Sequence, residues 1–388
     1  MSTIIQGTCD ARFVAVREAF TENFAERREV GAAFSLYVEG RCVVDLWGGH
    51  RDQAKTEAWE PDTIVNVYST TKAMAALCAH QLVEEGLLDL DAPVAKYWPE
   101  FAAAGKQGIS VRQLLCHQAG LAAVREPLPD SALYDWDAMV RALAAEKPWW
   151  EPGSAHGYHA VTFGWLVGEV VRRITGESLG TTFRRRIAEP LGADFQIGVP
   201  DADHCRIAEM SPMSLEKAPD EPALAEILMS DPEGVAAKAF MNPASMALGP
   251  NVPAWRRAEI PGANGHATAR GLARIYGALG AGGSLDGVHV LAKESIERCR
   301  TEHSSGADLV LQTETRFGLG FMLTQDRPGA SFGPNTGAFG HPGAGGSLGM
   351  TDPEAGIGFG YVMNFMGPHI LLDPRARELI RATYASLG

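Results

Sequence analysis

Two serines in this chain stand in spacings that could activate a hydroxyl. Ser69 precedes Lys72 by three residues in "NVYSTTKAMAALCAHQLVEEG", residues 66–86. Ser347 is the centre of "GGSLG", residues 345–349, and matches the G-x-S-x-G pattern. A serine hydroxyl is a poor nucleophile until a base takes its proton, so each spacing implies a different base. In S-x-x-K the base is a lysine: residues i and i+3 share a helix face, which puts the amine beside the hydroxyl. In G-x-S-x-G the serine needs a strand, a sharp turn and a helix, with an acid and a histidine further along.

S-x-x-K alone is a weak signal, since about one copy is expected by chance in a chain of this size. A second copy, Ser214 to Lys217, lies among prolines and charges in "SPMSLEKAPDEPALAE" and acts as an internal control. The context of Ser69 differs: "TIVNVY" before it reads as extended and the run after it as a strong helix. A serine at a helix start can simply cap it, accepting a backbone N–H. That reading leaves Lys72 unexplained, because the positive end of the macrodipole disfavours a lysine in the first turn. The same misplacement favours the neutral amine, the form that accepts a proton. Moving a lysine from about 10.4 to near 7 takes roughly 4–5 kcal/mol. The rival Ser347 is followed by "LGMTDPEAGIGFGYVMNF", a strand, a turn and a strand, where the elbow requires a helix. Asp352 and His369 could complete a triad list, but the sheet that would position them has no room. Ser347 reads as a small residue in a glycine-rich strand.

The elements that must position Ser69 follow from periodicity. Residues 11–28 predict a helix and "AAFSLYVEGRCVVDLWGG" a hairpin about Glu39-Gly40. Strands are predicted at 317–325, 345–353 and 356–365, and a closing helix at 373–387. Between them the pattern is mainly helical, at 70–86, 110–116, 135–145, 160–175, 178–188, 268–280 and 292–300. The expected fold is α+β: the early hairpin joins the late strands in one antiparallel sheet, terminal helices cover one face, and the helix after Ser69 covers the other. The expected division is 1–90 with 185–388 as a sheet domain and 91–184 as a helical domain, with the active site in the cleft between them. Residues 211–262, rich in Pro, Glu and Ala, read as an excursion over that cleft.

At this point the residues resemble a family. "YSTTKAMAALCAHQLVEEGLLDLDAPVAKYWPEF" with "ISVRQLLCHQAGL", "EPGSAHGYHAVTFGWLVGEVV", "NGHATARGLARIYGAL" and "GHPGAGGSLG" resembles the serine β-lactamase and penicillin-binding-protein superfamily. Within it the chain is most similar to the class C β-lactamase-like carboxylesterases, the family VIII esterases. The resemblance implies a β-lactamase/transpeptidase-like fold and the catalytic set Ser69 as nucleophile, Lys72 as base partner and Tyr158 as proton relay. It implies an oxyanion hole from the N–H groups of Ser69 and Ala344, and places His341 and Gly343, in the third motif, against the substrate. Lys72 and Tyr158 should titrate as a coupled pair, which leaves the formal base open between them. Two positions depart from the family pattern. Ala160 stands where asparagine or serine is usual, and His341 where a lysine usually helps hold a substrate carboxylate. Both changes remove handles for a β-lactam, so the expected reaction is hydrolysis of short-chain acyl esters through an acyl-Ser69 intermediate. A β-lactamase or D-Ala-D-Ala peptidase-type amidohydrolase, an acyltransferase of the same fold and a non-catalytic scaffold are the alternatives.

The remaining features set bounds. A formal net charge of −13 argues against nucleic acid as a partner. No apolar run is long enough to span a bilayer, and no leader pattern opens the chain, so no membrane association and a cytoplasmic location are expected. Six scattered cysteines without C-x-x-C suit a reducing compartment. His156 and His159 form H-x-x-H without a carboxylate or cysteine at ligand spacing, and no Walker A appears, so neither metal nor cofactor is expected. His117 in "LLCHQAGL" is expected to tie a loop together by hydrogen bonds, His341 to lie at a strand edge, and Trp149, Trp150, Phe240, Met241 and Trp255 are candidates for an acyl-pocket wall.

Overall fold

The computed structural model describes residues 3–214, 216–327 and 329–388. Met1 and Ser2 of the N-terminal stretch, and Leu215 of the second S-x-x-K copy, lie outside them. The strands are β1 (Ile5–Cys9), β2 (Gly31–Val38), β3 (Arg41–Gly49), β4 (Val65–Asn66), β5 (Phe195–Ile197), β6 (Gly265–Ala267), β7 (Ser284–Leu285), β8 (Val288–His289), β9 (Ser304–Ala307), β10 (Glu314–Phe317), β11 (Met322–Leu323), β12 (Phe339–Pro342), β13 (Leu348–Asp352) and β14 (Ile357–Met363). Nine of them form one antiparallel sheet in the order β1-β3-β2-β14-β13-β12-β11-β10-β9. Early and late strands meet inside it, where β2 pairs with β14 from Ala32↔Met363 to Val38↔Ile357. The β2–β3 hairpin turns at Glu39 (φ 49°) and Gly40 (φ 75°), the pair of positive φ values of a type I′ turn.

Alternation along β14 assigns the two faces. Phe359 packs edge-on against Phe34 at 4.8 Å between ring centroids, and Tyr361 reaches Glu29 and Arg375 beside the terminal helices Val14–Glu26 and Pro374–Leu387. The opposite face presents Gly358 and Gly360, with Gly349 of β13, to the Ala269–Gly280 helix. The expectation that the helix after Ser69 covers this face is therefore corrected. The bare glycine face admits the Ala269–Gly280 backbone instead, and the Thr71–Glu84 helix sits deeper, packed on the Thr162–Thr175 helix, the Leu179–Phe183 helix and β12. All but a few of its residues are buried, which its nearly continuous Ala-Met-Leu-Cys composition permits.

The predicted strand 317–325 is two short strands instead. Residues 318–321 leave the sheet, and a Cβ on Gly320 (φ 88°) would sit 2.2 Å from the Cβ of Ala76, so the segment docks on the Thr71–Glu84 helix. The Leu319 carbonyl there meets His80 Nε2 at 2.9 Å. The predicted strand 345–353 narrows to β13, because residues 343–347 form the turn of the β12–β13 hairpin. The other predicted helices hold within a residue or two, except 178–188, which is α-helical only over Leu179–Phe183, widens to a π-helix over Arg184–Ala188 and runs on to Leu191. Ser110 and Gln113 form a capping box, and Gly176 closes Thr162–Thr175 in the left-handed conformation. The excursion 211–262 carries short helices at Leu224–Ser230, Val235–Met241 and Pro253–Arg257.

Candidate active site

Ser69 lies in the turn that feeds the Thr71–Glu84 helix, one residue before Thr70 caps it. Tyr68, at φ 42°, makes the bend, a left-handed position that a tyrosine adopts only when its surroundings impose it. The imposition is visible. The Tyr68 carbonyl accepts from Thr71 N at 3.0 Å and from Thr71 Oγ1 at 2.5 Å, and Thr71 Oγ1 in turn accepts from Gly265 N of β6 at 2.8 Å. Ser69 does not cap the helix. Its hydroxyl meets Lys72 Nζ at 2.9 Å.

Lys72 is fully buried, and Nζ lies 2.6 Å from the Ala160 carbonyl and 2.7 Å from the Gly262 carbonyl. No carboxylate faces it, and burial holds its pKa well below the usual lysine range. Its three hydrogen-bond partners are those two carbonyls and the Ser69 hydroxyl, a set that meets three ammonium N–H groups or two amine N–H groups and a lone pair alike. Tyr158 places its ring 4.6 Å from the amine and stacks on Phe317. Burial pushes its hydroxyl above the usual tyrosine range, and a hydrogen bond with Ser69 offsets part of that shift.

Opposite Ser69 stands the β12–β13 turn. The Ser69 and Ala344 N–H groups have no acceptor among the described residues, although the neighbouring Gly343, Gly345 and Gly346 N–H groups are all paired. Two free donors on either side of a partly exposed hydroxyl are what an oxyanion requires. His341 pairs with Gly349 of β13 and lies one residue past the last β11 pair, Met322↔Gly340, so its other side is an open strand edge as expected, although the residue is buried. Its Nδ1 donates to the Pro342 carbonyl at 2.7 Å, and Nε2 is left without a partner. Burial, then the nearby Lys72, push its pKa down to about 3, so it carries no charge at neutral pH.

Ser347 is buried. Its hydroxyl donates to the Val67 carbonyl at 2.9 Å and lies 3.3 Å from Thr70 Oγ1, tying the β12–β13 turn to the Ser69 turn. The second S-x-x-K copy makes no such pair: exposed Lys217 faces Glu226.

Other residues hold Tyr158 and Ala160 in place. His117 Nδ1 accepts from His159 N at 3.1 Å, as expected of a loop tie, and His159 Nε2 accepts from Leu121 N at 3.0 Å. Buried Asp308, which sequence reasoning missed, accepts from Tyr158 N at 3.0 Å and from Val310 N and Leu311 N at 2.9 Å. It lies 150 residues from Tyr158, beyond any local pattern. Trp149 and Trp150 line a groove that includes none of Ser69, Lys72 and Tyr158, and Trp150 also packs on His159 at 5.9 Å between ring centroids. Trp255 approaches the site, 6.4 Å from the Tyr68 ring. No helix among the described residues is long and apolar enough to cross a membrane.

This fold, with its buried lysine beside a serine at a strained turn, is that of the active-serine enzymes, and the protein is a serine hydrolase. The chain belongs to the Beta-lactamase family, whose profile matches residues 16–382. It is 37% identical over 389 residues to the "Esterase/beta-lactamase LipL" of Mycobacterium tuberculosis, covering 95% of this chain and 85% of that protein. Among solved structures it is similar to a family VIII carboxylesterase (44% identity, TM-score 0.88, 99% of this chain and 100% of that one). It is also similar to a novel penicillin-binding protein homolog from Caulobacter crescentus (45% identity, TM-score 0.91, 99% of this chain and 100% of that one).

Proposed function

We propose that the protein is a serine carboxylesterase acting on short-chain acyl esters through a covalent acyl-Ser69 intermediate. The observation that carries the proposal is the Ser69 hydroxyl 2.9 Å from the buried Lys72 amine, whose pKa burial holds well below the usual lysine range, next to two N–H groups without an acceptor among the described residues. Lys72 takes the hydroxyl proton as Oγ attacks the ester carbonyl carbon. The ammonium formed is met by the Ala160 and Gly262 carbonyls, which need no rearrangement. The tetrahedral oxyanion accepts from the Ser69 and Ala344 N–H groups. As it collapses, Tyr158 gives its proton to the leaving alkoxide and recovers one from Lys72. Water then repeats the sequence and releases the acid. Burial moves the two groups in opposite directions, Lys72 down and Tyr158 up, which supports the amine rather than the phenol as the base.

The preference for esters rests on His341 and Ala160. A neutral imidazole offers no cation to a β-lactam carboxylate, and Ala160 offers no side-chain hydrogen bond. An alkoxide also leaves more readily than an amine. We take residues 1–90 with 185–388 as one unit and 91–184 as another, joined at the site where Lys72 meets the Ala160 carbonyl. A reducing cytoplasm is supported by six free cysteines. The test is p-nitrophenyl butyrate hydrolysis by wild type and Ser69→Ala, with nitrocefin in parallel. Ester turnover that Ser69→Ala lowers by at least ~10³-fold, with little nitrocefin turnover, is expected. Efficient nitrocefin turnover with negligible ester turnover would overturn the substrate assignment.

A further inference from the structure

Behind the β12–β13 turn lies a buried charge cluster that belongs to none of the three motifs. Arg375, in the first turn of the Pro374–Leu387 helix, is 2% exposed. Its guanidinium has five N–H donors, and every one has an acceptor. Nε donates to Asp373 Oδ1 at 2.9 Å, and Nη1 to Glu29 Oε1 at 3.1 Å and the Phe365 carbonyl at 2.9 Å. Nη2 donates to Asp373 Oδ2 at 3.0 Å and the Gly345 carbonyl at 2.6 Å. The Tyr361 hydroxyl donates to the other oxygen of Glu29.

Such a cluster is a poor source of stability. Burying an arginine with two carboxylates costs desolvation that well-packed apolar side chains would avoid. What it supplies is a fixed point. Three bonds to carboxylates lock the guanidinium, and the other two reach backbone carbonyls. One of these, Gly345, directly follows Ala344. Its N–H donates to the His369 carbonyl at 2.8 Å, and its carbonyl accepts from Gly367 N at 2.9 Å as well as from Arg375. On the other side, Gly343 N donates to the Ser347 carbonyl at 2.7 Å. The chain is thus held on both sides of Ala344, whose own N–H is the one left free.

We propose that Arg375 is a positioning residue for the oxyanion hole, acting through the Gly345 carbonyl to aim the Ala344 N–H at the developing oxyanion. Glu29 and Asp373 are its anchors. The inference rests on the acyl-Ser69 reading. A donor displaced from its place loses most of its value in the transition state and little in the ground state.

The test compares wild type, Arg375→Met and Arg375→Lys on p-nitrophenyl butyrate, with far-ultraviolet circular dichroism and thermal unfolding to establish folding. A butyl trifluoromethyl ketone is added as inhibitor, because its serine adduct places an oxyanion in the hole. For a folded variant we expect kcat to fall roughly 10- to 100-fold with KM within about twofold. Affinity for the ketone should fall by the same factor, and Arg375→Lys should recover part of both. Unchanged kcat, or a loss of kcat without loss of ketone affinity, would overturn the inference. So would failure of both variants to fold, which would assign Arg375 to stability alone. Wild type inactive on esters would instead refute the reading beneath it.

Discussion

Replacing Lys72 separates chemistry from architecture more sharply than any other change. Lys72→Met keeps the length and bulk of the side chain but removes the group that accepts the Ser69 proton. Loss of a general base costs roughly 10²- to 10⁴-fold in rate, so kcat on p-nitrophenyl butyrate should fall by that factor. Stability should change much less. The Ala160 and Gly262 carbonyls lose their partner, at about 1–3 kcal/mol each, while removal of a buried amine returns a comparable sum. Tm should therefore move by only a few degrees. Lys72→Arg is the informative companion. Its guanidinium can still donate to both carbonyls, but it stays protonated at any accessible pH and cannot act as a base. The pH dependence carries the same logic. Burial lowers the Lys72 pKa, so activity is present above that folded pKa and is lost as pH falls through it. Below the unfolded value of about 10.4 the folded state binds fewer protons at Lys72, so the amine costs stability that grows toward acid. Lys72→Met should thus gain stability over wild type at pH 6 relative to pH 9. The assay is steady-state hydrolysis from pH 5 to 9.5, with thermal unfolding at both ends. Lys72→Arg retaining more than about a tenth of wild-type kcat would refute the reasoning, because a fixed cation would then suffice.

Three further outcomes follow from the same geometry. Ser347→Ala removes the hydroxyl that bridges Val67 and Thr70 and should cost about 1–3 kcal/mol of stability by denaturant titration, while Ser69 still reacts with a fluorophosphonate probe. Gly343→Ala would put a Cβ 2.2 Å from both Ser347 Oγ and the Val67 carbonyl, so esterase activity should fall at least ~10²-fold as the turn shifts away from Ser69. Burial, opposed by Arg375, raises Glu29 from 4.5 to about 7, so the folded state binds the extra proton and wild-type stability should decline as pH rises from 4.5 to 7. Glu29→Gln should flatten that decline, by at most about 3 kcal/mol, in unfolding measured across the interval.

What was legible in the sequence was local. Ser69 and Lys72 announce themselves because their spacing, the extended run before them and the helix after them fall within one short stretch. The β2–β3 hairpin and β14 were visible through alternation and turn residues. The acceptors of the Lys72 amine lie 88 and 190 residues away, and Arg375, bonded to the β12–β13 turn, reaches Glu29 across 346 residues. No periodicity encodes such contacts. β1 and β9, the two edges of the sheet, were missed because they are short and largely exposed, so burial leaves no apolar alternation in them. The break at Gly318–Gly320 was missed because its cause, the approach of Ala76, belongs to another element. The glycines of "GIGFGYV" carry a signal of close helix packing that strand alternation alone does not express.

The pairing of β2 with β14 also has a consequence for how the enzyme comes into being. These two neighbouring strands are separated by more than 300 residues of chain, and the entropic cost of closing so long a loop rises only slowly with its length. Thermodynamics tolerates the arrangement. Synthesis on the ribosome does not hurry it: Ser69 and Lys72 leave the exit tunnel well before the β12–β13 turn and Arg375 do. A nascent chain therefore carries its proposed nucleophile long before it carries the groups proposed to make that nucleophile useful. On that reading the order of translation withholds acyl chemistry until the β12–β13 turn has been made.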